Sequence, residues 1–543
     1  MVFARRSTTL LAAIIASCAM VLSLTACTSD NKTVVDGQTT VTSNSAGGVA
    51  VFTPSDGITL NQQTPLNKWA KLVPDLAKAL ADAGFKKGDI DHTTSDSLAK
   101  QSRAIQDFVV DHLSNNTTDD SGIAIAPDNM TLLVAPVVEA DASTHQYGDY
   151  VSQNLSTNDA TDGEATSDGE SSEDDSSKDD SSNTESDSTA SDEQAQAVDR
   201  LVSSLKLAKE SGMHVVLLGN SIEGYKPDAF VKFSDAQTIG KLQAEKMVSK
   251  LKLDKASKDN PKYIEVLLPY TAVDEKGNAN DSTFAQEAFR GIWQVLGSYY
   301  QKGVVESPSG TLDGKSTEND WQAVAYDAAK EGSTAKVLDK RLAKTDGQST
   351  LTRIDGIITM NDYIASEVVK ELDDLGYTGS AADINPQITI SGIVGNITGK
   401  KDLSRDAVPD PIKSPENDNA NDSSSSDDDA DEDTSASDKD RDSQWPLVTG
   451  YGAYVSNIPS IVNGKQWMTG MEDRQTIATD IAQACAKLNK DEALNSMPSI
   501  RNSEVGGVKK IPTISEPLLA VSASNLKSAL IDPGYISLAD AGL

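Results

Sequence analysis

The feature that most constrains this chain is a recurring alternation. Short, almost continuous apolar runs are each followed by a segment whose apolar residues fall at helical spacing. Thr131-Leu-Leu-Val-Ala-Pro136, Val215-Val-Leu-Leu218, and the runs 263–268 and 354–359 are apolar on both sides of the strand period. Such strands must be covered on both faces, and helices lying between parallel strands supply that cover. The helical segments run over 66–85 (closed by Gly84), 97–113, onward from Ala197, and over 238–250, 283–300, 321–331, 364–375 and 474–490. Further strands are predicted at 50–52, 303–306, 447–449 and 467–468, an extra strand or hairpin at 387–392, and an extended tail over 508–521. The class is α/β with parallel sheets. With 543 residues of which 38% are apolar, the chain has material for two lobes of ordinary size. It shows no internal repeat and no heptads, and a monomer is the expected state.

Open α/β sheets hold ligands where their strands end. Here those ends are small or polar: Gly219-Asn220, Met360-Asn361-Asp362, Thr449-Gly-Tyr451-Gly452, Thr469-Gly-Met-Glu472-Asp473 and Ile511-Pro-Thr513. The residue types leave two readings open. Asn361-Asp362 contacts a ligand or caps the helix beginning near Tyr363. Trp69 and Trp321 are cleft walls or core, Trp467 reads as core by strand period, and Tyr451 offers a ring face and a hydroxyl to a ligand. Catalytic signatures are missing: no Gly-x-Ser-x-Gly, His-Glu-x-x-His, phosphate loop or Cys-x-x-Cys occurs. His92, His112, His145 and His214 lack partners at ligand spacing, so neither an enzyme, a metal site nor a cofactor is expected.

Arg5-Arg6 followed by the apolar run 10–24 and then Leu24-Thr-Ala-Cys27 reads as a secretory signal ending in a lipobox. The run falls short of the roughly 20 residues a bilayer-spanning helix needs. Cys27 is the expected lipid attachment point, residues 28–48 a flexible tether, and the outer face of the cell membrane the expected location. A modified Cys27 leaves Cys485 alone after processing, so burial rather than a disulfide must hold the fold. The net charge of −34 is concentrated, with roughly −13 in residues 159–193 and roughly −10 in 416–442. These Ser/Asp/Glu-rich tracts are predicted to be disordered inserts, spanning about 155–196 and 409–444, because they contain too little apolar surface to offset ordering entropy. The acidic balance and the lack of a basic stripe argue against nucleic acid.

Several blocks resemble, in the same order, the type I periplasmic sugar-binding proteins of ABC importers, most closely the D-xylose-binding branch. They are Leu66-Asn-Lys-Trp69, Asp235-Ala-Gln-Thr-Ile-Gly-Lys-Leu-Gln-Ala244, Ile357-Ile-Thr-Met-Asn-Asp362, Val448-Thr-Gly450, Gly464-Lys-Gln-Trp-Met-Thr469, and Lys510-Ile-Pro-Thr-Ile-Ser-Glu-Pro-Leu-Leu-Ala-Val521 running to Asp532-Pro-Gly-Tyr535. The resemblance implies two Rossmann-like lobes joined by three crossing strands, lobe I from 49–233 plus 472–500 and lobe II from 234–471 plus 501–543. It also implies a sugar or glycoside ligand and an ABC permease partner. Carried over by position, the ligand-binding set is Lys68, Trp69, Asn220, Asp235, Trp321, Asn361, Asp362, Tyr451 and Glu472. The chain departs from the family's charged grip: Gly219-Asn220 replaces Asp-Arg, Ala236 replaces an Asn, Tyr451-Gly452 replaces Gln-Asp, Glu472 replaces a Lys and Lys68 an Arg. Each lost charge-assisted bond is worth about 1.5–3 kcal/mol, so a different solute or weaker binding is expected. A degenerate module serving as a sensor or surface interaction protein is the alternative. The lipobox is checked by Cys27→Ser, which is expected to release the protein from membranes or trap its precursor; membrane fractionation at the mature mass would contradict it.

Overall fold

Apolar runs bounded by turns become the strands of two parallel sheets in a computed structural model. It describes residues 46–55, 65–115, 125–138, 146–150, 153–157, 185–273, 280–328, 330–343, 350–381 and 443–543. In chain order the principal strands are β1 (Gly48–Pro54), β2 (Ile90–Ser95), β3 (Met130–Val134), β4 (His214–Leu218), β5 (Ala229–Lys232), β6 (Lys262–Val266) and β7 (Val305–Glu306). They continue with β8 (Gly356–Ile358), β9 (Leu447–Thr449), β10 (Met468–Met471), β11 (Ile500–Val505), β12 (Val508–Ser515) and β13 (Leu519–Ser522). The principal helices are α1 (Trp69–Asp82), α2 (Leu98–Asn115), α3 (Glu185–Glu210), α4 (Ala236–Leu251), α5 (Thr283–Gln301), α6 (Ser333–Arg341), α7 (Asp362–Leu375) and α8 (Arg474–Leu488).

The larger sheet has the order β11-β12-β5-β4-β3-β1-β2 and is parallel except for the β11/β12 hairpin at its edge. Alternate residues feed opposite faces, as the strand period requires. Leu133 and Val216 meet Leu76 of α1 and Ile481 of α8, while Leu132 and Val215 meet Ile105 of α2 and Leu201 of α3. The smaller sheet, β7-β6-β8-β9, is parallel throughout. Ile264 and Ile358 pack with α4 and α5 on one face, and Ile357 and Val448 pack with α6 and α7 on the other. Three connections cross between the lobes: β5 into α4, β10 into α8, and β12 into β13. β10 and β13 pair antiparallel at the crossing. Both lobes belong to one compact unit, Ser45–Leu543.

Several expectations change. The β11/β12 hairpin joins the lobe I sheet through Thr513, Ile514 and Ser515 on β5, so 501–515 moves out of lobe II. The helix expected over 321–331 is only Trp321–Val324, after which Ala325–Tyr326 pairs with Leu268–Pro269. Helix α3 begins at Glu185, inside the expected acidic insert, although its buried positions start near Ala197. Asn154–Leu155, at that insert's other end, pairs with Ser221–Ile222. The signal, Cys27, most of the tether, the expected strand at 387–392 and most of both acidic tracts lie outside the described residues. Among the described residues no helix is long and apolar enough to cross a membrane.

Helices α4 and α5 approach so closely that glycine is required on both. A Cβ on Gly240 would lie 2.2 Å from the Ala288 carbonyl oxygen, and one on Gly291 would lie 2.0 Å from that of Gln237. Backbone cannot yield as a flexible side chain does. Gly291→Ala is therefore expected to cost about 3 kcal/mol, the upper end of ordinary overpacking, in urea unfolding. A loss under about 1 kcal/mol would show that the helices separate freely.

Candidate functional site

The strand ends of both lobes face one seam, and the smaller lobe contributes a fully buried carboxylate. Asp362 opens α7, one residue after Asn361, whose side chain caps the helix by accepting the Ile364 N–H at 2.9 Å. Asp362 Oδ1 accepts from Gln466 Nε2 at 2.7 Å, and Oδ2 accepts from the Tyr454 N–H and Thr469 Oγ1, each at 2.9 Å. Gly450 leaves room for this cluster, since a Cβ there would stand 2.2 Å from Asp362 Oδ1. Burial pushes the Asp362 carboxyl up to about 6, against those three hydrogen bonds. The turn before it is strained: Met360 has φ of 68°, in the left-handed region. Gln243 of α4 braces that turn by donating to the Met360 carbonyl at 2.9 Å.

A second buried carboxylate sits where the chain crosses between lobes. Glu472 Oε1 accepts from the Ser234 N–H at 2.6 Å and from Ser234 Oγ at 2.5 Å. The Tyr451 hydroxyl lies 2.5 Å from the same Ser234 Oγ. Ser234 follows β5 and Glu472 follows β10, so this cluster ties two of the three crossings together. Burial pushes Glu472 up to about 7, and burial with the nearby Glu472 charge drives the Tyr451 hydroxyl well above its usual range.

On the lobe I side the seam is lined by residues 146–150. The Asp149 N–H donates to the Asn67 carbonyl at 2.8 Å, while the Asp149 carboxylate takes the Lys68 ammonium at 2.7 Å and the Trp69 N–H at 3.1 Å. Tyr150 stacks on Phe233 with centroids 4.7 Å apart and meets the Trp69 ring edge-on at 5.0 Å. On the lobe II side, Gln146 Oε1 accepts from Asn361 Nδ2 at 3.0 Å, and its carbonyl accepts the Tyr454 hydroxyl at 2.7 Å. Tyr147 packs against Phe284 at 4.7 Å and Tyr451 at 6.3 Å.

The nine residues expected at the site divide by partner. Asn361, Asp362, Tyr451 and Glu472 lie at the seam and are buried, each bonded within the chain. Lys68 and Trp69 reach the seam through Asp149 and Tyr150, with Trp69 in the core of lobe I. Asn220 ends β4 and is also bonded internally, to the Pro136 carbonyl and the Gln153 N–H. Asp235 caps α4 through Thr238 and pairs with Lys232 at 2.9 Å, at a partly exposed site. Trp321 packs edge-on against Tyr270 in the lobe II core. The sequence reading missed Gln146, Tyr147, Asp149, Tyr150, Asn67 and Ser234. Two tyrosines three residues apart around a glycine, in an otherwise polar stretch, are the local signal that could have drawn attention to residues 146–150. Among the described residues Asn67 Nδ2 is buried without a hydrogen-bond partner, and no cluster able to hold a metal ion occurs.

No family model matches the chain, and no curated protein matches it in sequence. Among solved structures it is similar to an ABC transporter solute-binding protein from Clostridium phytofermentans with bound β-D-glucose (17% identity, 91% of this chain and 99% of that chain, TM-score 0.44). It is also similar to a carbohydrate transporter solute-binding protein from Chloroflexus aurantiacus in complex with D-glucose (18%, 92% and 98%, TM-score 0.44). A third is an arabinose-binding protein from Geobacillus stearothermophilus (9%, 89% and 99%, TM-score 0.41).

The raised carboxyls set a pH dependence. A carboxyl whose folded value exceeds its unfolded one binds more protons in the folded state, so stability falls as pH rises from the unfolded value toward the folded one and is level above it. For Glu472 that window runs from its ordinary 4.5 to about 7. Glu472→Gln keeps an acceptor for Ser234 and removes the ionisation. Between pH 5 and 7.5 the unfolding free energy of Glu472→Gln, from urea titration at each pH, is expected to fall less than that of the parent chain, by an amount on the order of 1–3 kcal/mol. Parallel curves would place the Glu472 carboxyl in an ordinary aqueous setting.

Proposed function

We propose that this chain is a membrane-tethered solute-binding protein that captures a carbohydrate between its lobes and delivers it to an ABC permease on the outer face of the membrane. The observation that carries the reading is the convergence of both sets of parallel strand ends on one seam joined by three crossings. That seam is lined with amides, carboxylates, hydroxyls and aromatic rings. Sugars present hydroxyls at their edges and C–H faces to rings, and this mixture of groups matches both. Asn67 Nδ2, which has no hydrogen-bond partner among the described residues, supplies a buried donor for a solute oxygen. Two lobes on a three-strand hinge close around a solute without needing a catalytic group, so binding rather than catalysis is the activity. Lipid anchoring through Cys27 rests on the lipobox reading, and a permease partner on the resemblance to the binding proteins of ABC importers.

A second reading, a module that has given up transport and acts as a sensor or surface interaction protein, draws on a specific observation. Lys68, Asn220, Asn361, Asp362, Tyr451 and Glu472 already have partners within the chain.

The test is thermal unfolding of the full chain in detergent, followed by intrinsic fluorescence, against D-xylose, D-glucose and cellobiose. A bound sugar stabilises by RT ln(1 + [L]/Kd), about 2.7 kcal/mol at a hundredfold excess over Kd. With the charged grip on an aldopentose replaced, millimolar D-xylose is expected to shift the transition little and the larger glycoside more. Micromolar D-xylose binding by calorimetry would contradict this. Asn361→Ala is expected to weaken the bound sugar and, because Asn361 caps α7, also to lower unliganded stability by about 1 kcal/mol.

A further inference from the structure

We propose that residues 146–150 are an intramolecular occupant of the interlobe seam, which fastens the lobes together without solute and must be displaced before a carbohydrate enters. The proposal rests on the reading of the seam as a carbohydrate site and adds a regulation that the reading does not contain. Five consecutive residues touch both lobes. Tyr147 is buried in the core cluster of the smaller lobe and Tyr150 in that of the larger lobe. Gln146 satisfies the Asn361 amide and the Tyr454 hydroxyl, and Asp149 satisfies the Lys68 ammonium. Two of these, Asn361 and Lys68, are among the residues expected to bind solute. A hydroxylated guest would bond to amide, hydroxyl and ammonium groups and lay its C–H faces on rings, and Gln146, Asp149 and the two tyrosines already engage such groups.

The backbone is adapted to this seat. Gly148 has φ of +99°, and a Cβ on it would fall 2.6 Å from the Asn67 carbonyl oxygen, so only glycine lets the segment lie this close to lobe I. The segment then continues to Gln153, whose N–H donates to Asn220 at 3.0 Å, and to the short pairing of Asn154–Leu155 with Ser221–Ile222. Residues 146–150 and Gln153 thus bond to Lys68, Trp69 and Asn220, three of the positions expected to bind solute. Their connection joins β3 to α3 and is the one that carries the first acidic tract.

An internal occupant taxes affinity by population: the apparent Kd rises by the inverse of the fraction of molecules with the seam free. A segment seated nine times in ten weakens binding about tenfold.

Hydrogen–deuterium exchange on the full chain in detergent, with and without D-glucose or cellobiose, combined with sugar titration of Gln146→Ala/Tyr147→Ala, tests the proposal. Tyr150 and Asp149 are kept in this variant so that lobe I stays packed. Without sugar, the peptide covering 146–150 is expected to be protected in the parent chain, because the Asp149 N–H is bonded to Asn67. With saturating sugar its exchange is expected to rise toward the unprotected rate while peptides from β3 and β4 stay unchanged, and the variant is expected to bind the sugar about tenfold or more tightly. Rapid exchange of 146–150 without sugar, or unchanged protection and equal affinity in parent and variant, overturns the proposal and leaves the carbohydrate reading standing. Protection of 146–150 with no sugar binding to parent or variant overturns the carbohydrate reading instead, and the claimed competition with it.

Discussion

The two sheets direct their polar strand ends into a buried seam, where a polar group left without a partner costs free energy. This constraint organises the centre of the molecule. Asp362 is held by a main-chain N–H, a glutamine and a threonine, Glu472 by both hydrogen-bonding groups of Ser234, and Asn361 by Gln146. In an open two-lobed receptor water would satisfy these groups and a solute would replace it. Here the chain itself supplies those partners, residues 146–150 among them through Gln146 and Asp149.

The cost of this arrangement is visible in the carboxyls. Both sit well above their ordinary values because burial penalises the charged form more than the hydrogen bonds favour it. Neither has a salt-bridge partner among the described residues. Near neutral pH Glu472 is therefore divided between protonated and ionised forms, and the crossing it ties together becomes sensitive to pH. Met360, in its left-handed conformation next to Asn361, adds strain that the Gln243 hydrogen bond helps to hold.

Much of the fold was legible because buried parallel strands are continuous apolar runs: β3, β4, β6, β8 and β9 stand close to where those runs lie. What escaped has a physical reason. β2 is an edge strand whose Asp91, His92, Thr93 and Thr94 are exposed, so it carries no apolar signal, and β5 is only four residues long. The β11/β12 hairpin was assigned to the wrong lobe because pairing partners far apart in sequence leave no local trace. Of the residues expected to bind a ligand, Asn361, Asp362, Tyr451 and Glu472 lie together at the seam, yet sequence spacing could not reveal that 146–150 would lie against it. That segment has no periodicity, and its position is fixed by contacts to Asn67 and Asn361, some eighty residues before it and two hundred after it.

If the chain's own residues close the seam in the absence of solute, the lobes stay at one separation whether or not sugar is present. The distance between lobes reads it directly, using spin labels on Val110→Cys of α2 and Lys340→Cys of α6, both exposed helical positions; Cys485 is buried and will not be labelled. Sugar-free protein is expected to give one narrow distance distribution that D-glucose leaves in place. A broad distribution without sugar, narrowing only when D-glucose is added, would show that the lobes are open at rest and that solute, not the chain, closes them.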